Sequence, residues 1–115
     1  MKFVRDDKAA QWLREFAPDS ETFDWDAGNM TKNLKHGVSR EEIESIFYSQ
    51  KLIFAGHIID PPDNEWRGLI LGRSDGGRLL ALIFTRRGDK LRPISCRPMR
   101  TGERRFYETS IQEYT

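Results

Sequence analysis

The chain has 115 residues, of which 32% are charged and 37% hydrophobic, with a formal net charge of +1. That is one domain's worth of chain with one modest core, and its apolar content argues against disorder. The longest uninterrupted apolar run, Leu79 to Phe84, falls far short of the roughly 18 residues a membrane span needs.

The start, "MKFVRDDKAAQWLREF", carries acids where a secretory leader would be apolar, so secretion is not expected. Within it, Ala9, Trp12, Leu13 and Phe16 recur at helical spacing and predict a helix over Lys8 to Phe16. "APDSETF" breaks that pattern, and "FDWD" reads as a short strand with Phe23 and Trp25 on one face. Asp26 is placed to cap a helix from Ala27 to His36, closed by Gly37 where a left-handed residue is cheap. Ser39 with Glu42 forms a capping box, with Val38 and Ile43 as its staple, and predicts a helix to about Gln50 that buries Ile43, Ile46 and Phe47.

From Leu52 onward the periodicity changes. "LIFAGHIID" reads as a strand, "PPDNE" as a loop and "WRGLILGR" as a second strand. "SDGG" is hairpin-turn chemistry. "RLLALIFTR" is apolar on both faces and predicts the central strand. "RGD" turns into "KLRPISCR", which Pro98 ends, and "TGERRFYETSIQEY" predicts a final helix with Phe106, Tyr107, Ile111 and Tyr114 inward. The expected architecture is α+β: N-terminal helices, an antiparallel sheet of about four strands, then a C-terminal helix.

Charge is distributed unevenly. Met1–Glu65 holds 8 Lys and Arg against 13 Asp and Glu, whereas Trp66–Thr115 holds 11 against 5. A basic side suits phosphate, unless the halves interleave and their fields cancel. Cys96 is the only cysteine, so no internal disulfide forms and a reducing cytoplasm fits. His36 and His57 lack ligand-spaced partners, and Glu41, Glu42 and Glu44 are accounted for by helix capping, so neither a metal nor another cofactor is expected.

Several cations carry candidate chemistry. Arg67 and Arg97 sit on predicted strands, where a planar fork can hold two phosphate oxygens. Trp66 offers a ring for stacking a base, although a strand Trp is more often core. Arg104 and Arg105 head the last helix, the wrong end for helix stability, which favours anion binding. Arg86 and Arg100 read as backbone contacts or as solvated charge. "GRSDGG" sits between strands with no helix after it, which excludes a phosphate loop.

The stretches "FDWDAGNMTKNLKHGVSREEIESIF", "EWRGLILGRSDGGRLLALIFTRRGD" and "LRPISCRP" followed by "ERRFYE" together resemble the BrnT family of bacterial toxins. The match runs from about Phe23 to Glu108, leaving residues 1–22 as an extension with its own helix, ahead of a toxin domain over 23–115. The resemblance implies a RelE-like fold and an endoribonuclease of a type II toxin–antitoxin module. It also implies a cognate antitoxin of BrnA type that binds operator DNA, so that DNA is reached only through the antitoxin. It points first to Lys35 and His36 as the pair acting on RNA; Arg67 and Arg97 are the next candidates, and Tyr107 is placed either to act near Arg97 or to make a structural hydrogen bond. The alternative class is a catalytically weak interaction module that binds the antitoxin and acts in autoregulation of the operon. A third is a nucleic-acid binder using the same arginines for phosphates only.

Overall fold

The structure, a computed structural model, describes residues 1–19, 21–49 and 51–113. The elements run β1 (Lys2–Val4), α1 (Asp7–Glu15), α2 (Ala27–Lys35), α3 (Arg40–Ile46), β2 (Ile53–Asp60), β3 (Gly68–Arg73), β4 (Leu79–Arg87), β5 (Lys90–Pro98) and α4 (Thr101–Glu113). All five strands join one antiparallel sheet in the order β1-β2-β3-β4-β5, so the fold is α+β as expected. None of the described helices is long and apolar enough to cross a membrane.

The sheet has two covered faces. On one, Ile70, Leu80, Leu82, Phe84, Leu91 and Cys96 meet Val38, Ile43 and Ile46 at α3, with Trp12, Leu13 and Phe16 of α1 against the same cluster. On the other, Leu69, Leu71 and Ala81 pack with Tyr107 and Ile111 of α4. This double covering explains why β4 reads as a continuous apolar run rather than an alternating one.

Three expectations change. The sheet gains a fifth strand, β1, because Lys2–Val4 pairs with β2, although three residues are too few to show a period. Gly56 makes that approach possible: it takes φ +147, and a Cβ there would stand 2.5 Å from the Val4 carbonyl oxygen. Second, α3 ends at Ile46 and gives way to turns, while Gln50 lies outside the described residues. Third, Phe106 points outward at 41% exposure with its ring edge on Phe3, whereas Tyr107 is buried; Tyr114 lies outside the described residues.

"FDWD" contributes only one bridge, Phe23 to Leu91, but Phe23 and Trp25 do join the same core cluster. The capping box closes on one side only. The Ser39 hydroxyl accepts the Glu42 N–H at 3.1 Å, while the Glu42 carboxylate leaves the helix and takes Arg78 and Ser74.

Candidate nucleic-acid interface

The site begins with two asparagines one helical turn apart. Asp26 and Asn29 cap α2 reciprocally: Asp26 Oδ1 accepts the Asn29 N–H at 3.0 Å and Asn29 Oδ1 accepts the Asp26 N–H at 2.8 Å. The Asn29 amide then donates to the Pro93 carbonyl at 2.9 Å, and Asn33 Oδ1 accepts the Cys96 N–H at 2.7 Å. These side chains fasten α2 along the outer edge of β5, satisfying backbone groups that an edge strand otherwise leaves open. The same edge is paired nearer its start, where Leu91 donates to Thr22 O and accepts from Asp24 N–H, both at 2.9 Å.

With Asn29 and Asn33 turned to β5, helical spacing puts Lys32, Lys35 and His36 on a shared exposed face. Gly37, at φ +73, ends the helix, and its carbonyl accepts Arg78 Nη2 at 2.8 Å. His36 thus lies between two anchors, Asn33 on Cys96 and Gly37 on Arg78, at the end of the sheet where β5 finishes. Arg97 follows Cys96 directly, so the Asn33 bond ties the last turn of α2 to the end of β5, a corner of the sheet at which the Arg97 side chain turns to α4.

Arg97 is not free at that corner. Its Nη1 and Nη2 donate to the two Glu103 oxygens at 2.7 and 2.8 Å, with both side chains less than one-fifth exposed. Glu103 Oε1 also accepts the Arg100 N–H at 2.9 Å, capping α4. Burial alone would raise the Glu103 carboxyl, but the Arg97 and Arg100 bonds and their charges outweigh it and hold it below its ordinary value. Arg97 is raised, first by its bond to Glu103. Burial pushes the neighbouring Cys96 thiol up to about 12, so it packs as an inert hydrophobe. Arg100, whose charge acts on Glu103, precedes α4, and Arg104 and Arg105 lie on its first turns; all three are exposed, and Arg104 and Arg105 have no ionic partner among the described residues.

The other sequence candidates lie apart from this corner. Tyr107 donates to the Lys51 carbonyl at 2.7 Å, rather than to anything on Arg97, and burial raises its phenol. Trp66 donates to Asp6 Oδ2 at 3.0 Å and stacks on His57 with centroids 5.4 Å apart. The Arg86 guanidinium sits 4.6 Å over the Trp12 ring. Trp66 and Arg86 are therefore both held by residues 1–22.

Arg67 comes just before β3 and donates to the Pro61 carbonyl. The ladder registers put it about four residues along and two strands across from Arg97, roughly 16 Å at ordinary sheet spacings. Arg67 instead borders a depression of about 380 Å³ with Lys32, Arg87 and Arg92. Arg92 donates to Asp26 at 2.9 Å, and together with the Asn29 N–H, the largest influence, it holds the Asp26 carboxyl low against burial.

Sequence reasoning passed over Lys32, Arg92 and Glu103. Lys32 was visible as the residue three before Lys35 on one helix face, and Glu103 as the acid three after Arg100 at a helix start. Arg92 carried no local signal, since its partners are 66 and 68 positions earlier. Among the described residues, no group of three or more His, Cys, Asp or Glu could hold a metal ion.

A family model described as "Ribonuclease toxin, BrnT, of type II toxin-antitoxin system" matches residues 25–103, from just ahead of α2 into the first turn of α4. A search of curated proteins found no match.

Proposed function

Because the chain belongs to the BrnT family of ribonuclease toxins of type II toxin–antitoxin systems, we propose that it is an endoribonuclease acting on RNA by 2′-hydroxyl attack without a metal. The substrate's own hydroxyl attacks the adjacent phosphate, passing its proton to a base. The phosphate–5′-oxygen bond breaks as an acid protonates the leaving oxygen, giving a 2′,3′-cyclic phosphate and a 5′-hydroxyl end. His36 is the group suited to carry a proton, since an imidazole nitrogen can both accept one and give it up. Lys35 and Arg97 supply charge to the phosphorane. Arg100, Arg104 and Arg105 supply contacts to the rest of the strand, and Tyr107 acts by fixing α4. Trp66 and Arg86 can join only by releasing Asp6 and Trp12.

The supporting observation is the Asn33–Cys96 hydrogen bond, which sets the helix end carrying Lys35 and His36 against the strand end carrying Arg97. No metal is invoked because the described carboxylates near these cations are engaged by arginines or by helix caps. Activity belongs in this reading to residues 23–115 of a cytoplasmic protein. An antitoxin of BrnA type silences it and links it to operator DNA.

One observation favours the second reading, an interaction module with weak catalysis: the Arg97 fork is already filled by Glu103. The two readings separate on turnover of a defined single-stranded RNA in EDTA. Fragments ending in cyclic phosphate from wild type, lost in His36→Ala and in Arg97→Ala, carry the ribonuclease reading. Absence of cleavage, together with no growth arrest on expression, leaves the interaction module.

A further inference from the structure

The depression between α2 and the start of β3 differs chemically from the Arg97 corner. Arg97 and Glu103 satisfy each other with two short bonds, whereas among the described residues around the depression only Arg92 has a short ion pair, 2.9 Å to Asp26, and the other contacts are long. Arg67 Nε is 3.7 Å from Asp63, Arg87 Nε is 3.5 Å from Glu65 and Arg92 Nη1 is 3.7 Å from Asp24. All three exceed the N–H···O range of about 2.7–3.2 Å. Lys32, on the rim, has no ionic partner among the described residues. Most telling is Arg67: its side chain is only 14% exposed, and its buried Nε donates to nothing. An unpaired buried donor on an arginine is costly, and it favours drawing an anion into the depression beside Arg67.

We propose that Lys32, Arg67 and Arg92 form a second anion subsite, for an RNA phosphate one or more linkages away from the cleaved bond. The inference rests on the ribonuclease reading and deepens it: Arg67 positions the strand and does not act on the scissile phosphate. The roughly 16 Å between Arg67 and Arg97 is too far for one phosphate to bridge them as they are held. Lys32 and Lys35 share one face of α2, so a strand following that face runs from the depression to the corner. Asp63 and Glu65 on the rim keep the empty site from being strongly basic, and they stand far enough off to yield to phosphate.

The test uses a fully 2′-O-methylated single-stranded RNA, which lacks the attacking hydroxyl and so reports binding alone. Affinity is measured across a salt series for wild type, Lys32→Ala and Arg67→Lys. One lost phosphate contact is expected to reduce the slope of log K against log salt by about 0.7 in Lys32→Ala. Arg67→Lys, which keeps the charge but not the fork, is expected to weaken binding. On cleavable RNA, Lys32→Ala is expected to raise KM with kcat retained. A single neutral methylphosphonate away from the cleaved linkage is expected to weaken wild type and leave Lys32→Ala unaffected. Wild-type binding with unchanged slope and affinity in both variants overturns the subsite alone. No binding by wild type overturns the ribonuclease reading along with it.

Discussion

Glu103 holds two groups at once, the Arg97 fork and the Arg100 N–H. Its carboxyl is lowered from an ordinary value of 4.5, so the stabilisation it gives is present above that value. It is lost as pH falls through the lowered folded value. Glu103→Gln is therefore expected to cost about 1–3 kcal/mol near neutral pH, and the gap to wild type should narrow as pH falls below 4.5. Urea midpoints at the two pH values check this; a gap independent of pH would mean that the pair contributes nothing as an ion pair. Glu42, lowered chiefly by its hydrogen bond from Arg78, steepens the acid limb of both proteins. The same substitution weakens the grip on Arg97, so under the ribonuclease reading RNA binding should tighten while stability drops. Glu103 was plain in the sequence as one of few acids in a basic stretch, three after Arg100, but its Arg97 partner became evident only once β5 and α4 met at a corner.

At the scale of elements, α2 is the part whose limits were most legible and whose purpose was least so. Asp26 and Gly37 marked its ends in the sequence because caps are local chemistry, and the helix does run Ala27–Lys35 with Gly37 at φ +73. Asn29 and Asn33 gave no comparable signal, since their partners Pro93 and Cys96 are some sixty residues later. Asn33→Ala leaves the Cys96 N–H buried without an acceptor and removes the clamp beside His36. A loss of about 1–3 kcal/mol is expected, read as a lower urea midpoint with an unchanged m-value. Hydrogen exchange should speed up at Cys96 well before it does in β4. If the Cys96 amide stays protected, the asparagine is not what orders that edge. The capping box at Ser39 shows the opposite failure: its local half formed, and its Glu42 half was taken by Arg78 from across the fold.

Over the whole molecule, residues 1–22 are woven in rather than appended. Met1–Thr22 falls outside the matched family region, yet β1 lengthens the sheet, Asp6 both caps α1 and accepts from Trp66, and Trp12 lies beneath Arg86. Sequence periodicity found α1 because its apolar stripe is a local property; β1 exists only through its pairing with β2, which no local pattern announces. Trp12→Ala, at a half-buried position with a cation over the ring, is expected to cost about 1–3 kcal/mol. Exchange protection in α1 and β1 should fall ahead of the rest. If those segments instead lose protection together with β4, the extension and the sheet unfold as one unit.

The unequal margins of the sheet also restrict how copies of this chain can meet. Along β5 the Leu91 amide and carbonyl, the Pro93 carbonyl and the Cys96 amide are spoken for by Thr22, Asp24, Asn29 and Asn33, and Pro93 and Pro98 have no amide hydrogen to give. A strand arriving from another molecule finds no ladder to extend there. Among the described strands, joining margin to margin is left to β1, and a surface that pairs with its own counterpart stops at two. Open-ended fibre growth needs two receptive margins, and this fold has closed one of them.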